Sequence, residues 1–525
     1  MIVEDQSEVL DFLSRVESYE TSARAPVERL DTHISAVFKV GCRVFKLKRA
    51  VRFSYLDFST ADLRHEACLE EVNANSRAAP DLYIGVLPVT REINGSLALA
   101  GLGNPVDWLV EMVRFDEENL FDRMAQRGQL TRRLMEDLAE VIARFHRQSD
   151  STSQYGGHDG TGFIIGSNAD CFAEAPNGMF DPTAVATLES QSLAALDGLR
   201  TMLEARRESG SVRHCHGDLH LRNICLMGQG DACLGGDPAS LRPILFDGIE
   251  FNPAISHIDV LYDLAFLLMD LEHQGLKRQS GILFNRYLDL TGDTGGLAAL
   301  PLFQSVRAAI RAQVGGAAMA TIQDEAERQV IITESRAYLD RALAYLEPAT
   351  PRMVAVGGLS GSGKSRMARE LAPALHDGPG AVVLRTDVLR KRLWGVGLFE
   401  RLPAEAYAPE MSEKTYGALW EEAAKVLAAG RSVVLDAVFA KPEEREQAAK
   451  AAKAAGVPFD GLWLSADPAV MAERIAKRTR NASDATPEVL AGQLNYDLGE
   501  MSWAPVDSGG AREETLAKGL ALIGL

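Results

Sequence analysis

Residues 214–223 read HCHGDLHLRN. Three histidines, a cysteine and an aspartate fall within seven positions, so the histidines draw attention first. The spacing of other letters says more. Asp218 and Asn223 stand five apart, and Asp247 follows at the end of an apolar run in PILFDGIEF, residues 243–251. One carboxylate can accept a proton from a hydroxyl. An amide oxygen and a second carboxylate can hold a divalent cation of the Mg²⁺ kind, which takes oxygen donors.

A zinc reading competes with this one. The run His214-x-His216-x-Asp218-x-His220 is close to the H-x-H-x-D-H of metallo-β-lactamase-type hydrolases, but one residue too long after the aspartate. Each ligand must reach one ion at about 2 Å, so an extra residue changes which side chain arrives. His257 and His273 are weak candidates for the remaining ligands. The zinc hydrolase is therefore the least supported alternative. By contrast, His216-Gly217-Asp218-x-x-x-x-Asn223 has the spacing of the phosphotransfer loop H-R-D-x-x-x-x-N, and Asp247-Gly248 stands where D-F-G would. Asp218 is then the catalytic base, with Asn223 and Asp247 as metal ligands. His214 and Cys215 read as packing residues, His216 as a brace for the loop, and His220 as a side chain lining the acceptor pocket.

Upstream, the same chemistry calls for a strand lysine and a helix glutamate over the phosphates. CRVFKLKRA (42–50) offers Lys46 and Lys48, two apart and on one strand face; Lys46 is favoured. In the following helix Glu71 is the match and Glu70 the runner-up. No G-x-G-x-x-G loop lies between the first strands, so any cover for the phosphates uses backbone N–H groups and the hydroxyls of Thr32 and Ser35. Asp259 and Asp263 are expected on one face of a buried helix.

These residues resemble the aminoglycoside phosphotransferase family. The similarity extends over HGDLHLRN (216–223), FDGIEF (246–251) and IDVLYDLAFLLMDL (258–271). It implies a kinase-like fold, ATP as donor, and Asp263 as a support for the catalytic loop. In the group that looks closest, this domain is commonly fused to a P-loop kinase-like domain.

MVAVGGLSGSGKSR (353–366) supplies that second part. Gly358, four residues, then Gly363, Lys364 and Ser365 form G-x-x-x-x-G-K-[ST], with an apolar strand before it and an amphipathic helix after. Gly358, Ser360, Gly361, Ser362 and Gly363 turn backbone N–H groups toward phosphate oxygens at a helix N-terminus. Lys364 brings a cation to the β/γ-phosphates and Ser365 a hydroxyl to Mg²⁺. The layout that follows resembles P-loop small-molecule kinases of the gluconate kinase, chloramphenicol phosphotransferase and zeta-toxin type. The resemblance implies Asp387 beside the acceptor hydroxyl and Arg390 on substrate. It also implies Arg474, Arg478 and Arg480 in a lid, and Asp436 as a Walker-B-like carboxylate near the metal.

Around these motifs the chain predicts two domains. Residues 1–346 form a two-lobed α+β kinase-like domain, with an N-lobe over about 1–110 and a C-lobe over about 111–346. Residues 347–351, EPATP, are a linker. Residues 352–525 form an α/β P-loop NTPase domain with a parallel sheet. The net charge of −18 argues against nucleic acid as the main partner and for a small-molecule acceptor. No cysteine pair has C-x-x-C spacing and MIVEDQSEVL lacks a basic start, so a cytoplasmic protein with reduced thiols, not a membrane protein, is expected. The expected activity is transfer of the γ-phosphoryl of ATP, or another NTP, to a hydroxyl at one or both sites. The alternatives are a P-loop kinase of nucleotide-sugars or nucleic-acid ends with a regulatory first domain, and an NTP-dependent switch without transfer.

Overall fold

The structure, a computed structural model, describes residues 3–19, 26–32, 34–53, 56–228, 240–319, 322, 324–477 and 480–525. Its contacts gather the chain into two compact units: Met1–Ser167 with Arg200–Asp270, and Asn168–Leu199 with Leu271–Leu525. Among the described residues no helix is long and apolar enough to cross a membrane.

The first unit opens with β1 (Glu28–Asp31), β2 (Ser35–Val40), β3 (Arg43–Lys48), the short pair β4 (Arg52–Phe53) and β5 (Leu56–Asp57), β6 (Tyr83–Arg91), β7 (Leu97–Leu99) and β8 (Asn104–Val113). Six of these make one sheet in the order β1-β2-β3-β8-β6-β7. Alternation along β2 and β3 buries Ala36, Phe38, Val40, Phe45 and Leu47 against Val9, Leu13 and Tyr19. The period of two therefore turns Lys46 and Lys48 to the other face. Gly41 (φ +53°) makes the hairpin turn between them. Of the stretch 107–115, readable as strand or connector, residues 107–113 belong to β8, which pairs with β3 at the centre of the sheet.

The helix Ala61–Ser76 begins at Thr60, whose hydroxyl accepts from the Leu63 N–H. Its buried face carries Arg64, Cys68, Glu71 and Asn75. Three of those four are polar, so the helix owes its place to paired charges rather than to an apolar stripe. Residues 119–148, whose pattern reads as one long helical stretch, form two helices, Phe121–Gln126 and Arg132–Gln148, separated by a turn at Gly128 (φ +66°).

Four short strands complete this unit: β9 (Val212–His214), β10 (Ile224–Met227), β11 (Arg242–Leu245) and β12 (His257–Asp259). β10 pairs with β11, and β12 with β9, both antiparallel. The helix that follows starts at Val260. Asp259 therefore lies in a strand, paired twice with Arg206 at 2.6 and 2.8 Å, and caps the Leu261 N–H at 2.8 Å. It does not share a helix face with Asp263, as the spacing of four had suggested, because the strand ends one residue before the helix begins.

In the second unit the helices Lys277–Thr291, Leu300–Ala318 and Glu325–Tyr345 precede a sheet of β13 (Met353–Gly357), β14 (Val382–Arg385), β15 (Val433–Asp436), β16 (Phe459–Ser465) and β17 (Ala504–Asp507). The strand order is β14-β15-β13-β16-β17, with every pair parallel. Residues 347–351 lie inside this unit. The edge strand β14 is covered by the helix Lys277–Thr291. There the Asn285 side chain accepts from the Val383 N–H at 2.7 Å and donates to the Ala381 carbonyl at 3.2 Å. An otherwise open edge is thereby satisfied.

Candidate active sites

In the first unit, β3 and the helix Ala61–Ser76 bring two lysines to one glutamate. Lys46 Nζ donates to Glu71 Oε1 at 2.9 Å and to Asp247 Oδ1 at 2.7 Å. Lys48 Nζ donates to Glu71 Oε2 and to Glu250, each at 2.7 Å. Both lysines thus hold Glu71, whose side chain is 1% exposed, and only Lys46 reaches Asp247. Glu70 is exposed. Burial disfavours the Glu71 anion, but Lys46 and Lys48 outweigh it and hold the carboxyl well below its ordinary value. Burial likewise opposes the charge on Lys46, and Asp247 and Glu71 reverse that and raise its pKa.

The loop after β9 is fixed from behind. Asp263, fully buried, accepts from the N–H groups of His216 (3.2 Å) and Gly217 (2.8 Å) and meets His146 Nε2 at 3.1 Å. The His216 ring donates through Nε2 to the Phe246 carbonyl at 2.9 Å. Burial lowers its pKa, which keeps it neutral. Asn223 Nδ2 donates to Asp218 at both its carbonyl and Oδ2, 2.9 Å each, and His220 Nε2 lies 3.3 Å from the same Oδ2. His220 Nδ1 accepts from the Arg222 N–H, so its proton sits on Nε2, facing Asp218. His214 stacks on His257 at 4.5 Å. The three histidines of the quoted stretch therefore turn to three different partners. Among the described residues, the one buried group of metal-binding type is His146, Cys215 and Asp263, and Asp263 there is engaged by loop N–H groups.

Asp247 is one of four described non-glycine residues with positive φ (+59°). The turn is held by Asn75, which accepts from the Gly248 N–H at 2.7 Å, and by the Tyr83 hydroxyl, which accepts from the Asp247 N–H at 3.1 Å. Asn75 stands one helical turn after Glu71, so one helix face positions both the ion pair and the Asp247 turn. Glu250 and Asn75 are absent from the residues singled out in sequence, and Lys48 stands there only as the alternative to Lys46. Only the second lysine and the glutamate of FDGIEF offered a signal. Thr32 and Ser35 close on each other, Thr32 Oγ1 accepting from the Ser35 N–H at 2.9 Å, and Ser35 Oγ is buried without a partner. Asn223 turns its nitrogen to Asp218, which leaves its amide oxygen, with Asp247, as an oxygen pair suited to Mg²⁺.

In the second unit the loop after β13 has Gly358, Gly361 and Gly363 at φ +142°, +84° and +92°. A Cβ on Gly358 would meet the Leu464 carbonyl at 2.5 Å, and one on Gly361 the Met471 carbonyl at 2.4 Å. The loop is thus a close-packed cradle before the helix Lys364–Leu371. Its outer side is anchored by Gln493, which accepts from the Ser360 N–H at 2.8 Å. The Ser362 carbonyl accepts from the Ser508 hydroxyl at 2.6 Å, and Lys364 Nζ donates to the Leu359 carbonyl at 3.4 Å. A cavity of about 240 Å³ adjoins it, lined by Gly363, Lys364, Ser365, Arg474, Asn481 and Arg512 among others.

Arg474 donates to the Ser508 carbonyl at 2.7 Å. Arg480 lies over the Phe399 ring at 5.2 Å, and Arg478 falls outside the described residues. Asp387 is half-buried in the first turn of the helix Thr386–Leu393. Arg390 is buried, donating to the Ala406 carbonyl at 2.6 Å and lying over Tyr407 at 5.0 Å. Asp436 ends β15, with Oδ2 at 3.2 Å from Arg385 Nε and Oδ1 buried without a hydrogen-bond partner. That orphaned oxygen, with the Ser365 hydroxyl, fits a Mg²⁺ site.

Residues 353–496 match the family model of the AAA domain. An uncharacterized protein of Mycobacterium tuberculosis is 28% identical over 499 residues, 93% of this chain and 93% of that one. Over 65% of this chain, the fold is similar to a choline/ethanolamine kinase family protein from Mesorhizobium loti (99% of that chain covered, 13% identity, TM-score 0.37). Over 34% it is similar to an APS kinase of Mycobacterium tuberculosis in complex with AMPPNP and APS (100% of that chain, 22% identity, TM-score 0.25). Residues 353–496 thus lie in a P-loop domain with a parallel five-stranded sheet.

Proposed function

We propose that this protein is an ATP-dependent phosphotransferase with two sites, each moving the γ-phosphoryl of the nucleotide to a hydroxyl of a small metabolite in the cytoplasm. The observation that carries the reading is the chain Lys48–Glu71–Lys46–Asp247, which sets a strand cation beside the Asp247 carboxylate. In the first site Lys46 serves the α/β-phosphates and Asp218 accepts the acceptor proton, its carboxylate fixed by Asn223 and His220. In the second, the backbone of 358–363 and Lys364 hold the phosphates, Asp387 orients the acceptor, and Arg474 closes on the transferring charge. Asn223 and Asp247 would hold Mg²⁺ in one site, and Ser365 and Asp436 in the other, where it would neutralise phosphate charge. The formal net charge of −18 supports a small acceptor over a nucleic acid.

The test is γ-phosphate transfer by the full chain to a metabolite library, with Asp218→Ala and Lys364→Ala made separately. Each variant is expected to lose a different acceptor activity, with Asp218→Ala reducing its own by about 10²–10⁴-fold. Unchanged turnover in both variants refutes the proposal.

A further inference from the structure

Arg385 ends β14 beside Asp436, its register partner at the end of β15. Its side chain is 5% exposed. Besides Asp436, it donates through Nη2 to Asn481 Oδ1 at 3.3 Å, and Asn481 lines the cavity next to the P-loop. A third partner comes from outside the sheet. Asp289, on the helix Lys277–Thr291, sits with Oδ2 3.9 Å from Arg385 Nη1. One buried guanidinium therefore stands between two carboxylates, and the one that ends β15 keeps an oxygen unpartnered.

We infer that Arg385 is a positioning residue of the P-loop site, and that Asp289 sets how firmly Arg385 holds Asp436. The inference rests on the nucleotide-binding reading of that site. The physical reason is competition for one carboxylate. A guanidinium committed to Asp436 opposes a divalent cation there, since both draw on the same negative charge. Asp289 draws part of the Arg385 charge toward itself and leaves Asp436 the better oxygen donor. The helix that carries Asp289 also seals β14 through Asn285, so its distance from Arg385 is fixed by hydrogen bonds to the strand itself. Arg278 adds a two-pronged pair to Glu370 at 2.7 and 3.1 Å, tying the same helix to the one that follows the P-loop. A helix that precedes the linker in sequence thus completes the P-loop site. Burial raises the Asp289 pKa against the pull of Arg385, Arg286, Arg369 and Arg392, so the test must isolate Arg385.

The experiment is equilibrium binding of a fluorescent ATP analogue to the full chain, with Mg²⁺ titrated from zero. The P-loop component is the binding that Lys364→Ala removes. Asp289→Asn is expected to raise the Mg²⁺ concentration for half-maximal tightening roughly tenfold, the size of coupling found within one buried network. Asp289→Ser is expected to move the midpoint the same way if the asparagine variant does not fold. In an Arg385→Met background, Asp289→Asn is expected to have no further effect. A wild-type midpoint in Asp289→Asn, or an equal shift with Arg385 removed, overturns the inference. A chain in which Lys364→Ala removes no binding instead overturns the nucleotide reading itself.

Discussion

Lys48 is the residue whose removal tests the first site most directly. Its side chain is 3% exposed and lies between Glu71 at 1% and Glu250 at 8%. Lys48→Met deletes the charge and keeps most of the stem. It leaves Glu250 without the cation that pairs with it and Glu71 with Lys46 alone. Removing one partner of a buried pair costs about 3–5 kcal/mol, because the stranded charge keeps its desolvation penalty. A domain has only about 5–15 kcal/mol in total, so the loss is large. The second change makes the origin visible. Glu250→Gln in the same chain removes the stranded charge and is expected to return the cost to about 1–2 kcal/mol, that of a lost hydrogen bond. Burial already holds the Glu250 carboxyl above its usual value, against the pull of Lys48. Without Lys48 it rises further. The folded state then binds the extra proton, so the single variant recovers stability below the ordinary carboxylate pKa and loses it as pH rises through the folded value. Two compact units need not unfold in one step, so the assay is hydrogen exchange across 43–48 and 61–76 during denaturant titration. A double variant no more stable than Lys48→Met, or a single variant insensitive to pH, refutes the charge-pairing account.

Two further outcomes are expected. Gly361→Ala adds a Cβ that meets the Met471 carbonyl at 2.4 Å on a backbone at φ +84°, so nucleotide affinity at the P-loop site falls by at least about tenfold while Gly417→Ala, with open space around it and no positive φ, spares it; calorimetric titration decides. Burial, with Arg77 and His257, pushes the His214 pKa down to about 4, so the unfolded chain binds the extra proton and stability drops as pH falls from about 6.5 toward that value; His214→Gln should flatten that part of the acid-melting profile.

The division between what was legible and what was not follows the range of the forces involved. The P-loop is legible because its chemistry is local. Glycines, lysine and serine act through eight consecutive backbone positions, and their spacing alone sets the helix N-terminus where phosphate sits. Asp218 and Asn223 are legible for the same reason, being joined by one short loop whose amide and carboxylate meet at 2.9 Å. The period of two along β3 placed Lys46 and Lys48 on one face, yet could not choose between them. Only the fold shows that no choice is needed, since Glu71 offers one oxygen to each and Asp247 and Glu250, more than 200 residues away, divide the lysines' remaining donors. The helix bearing Glu71 hides its buried face from periodicity because that face is polar. Asn75, Arg385 and Asp289 were invisible for a related reason. Each draws its meaning from a partner on another element, and no local spacing encodes a meeting between helix 277–291 and the end of β14. The sequence by itself determined which chemistry each stretch can perform; the tertiary structure decided which charges share a buried space, because burial and pairing arise only when distant elements exclude water together.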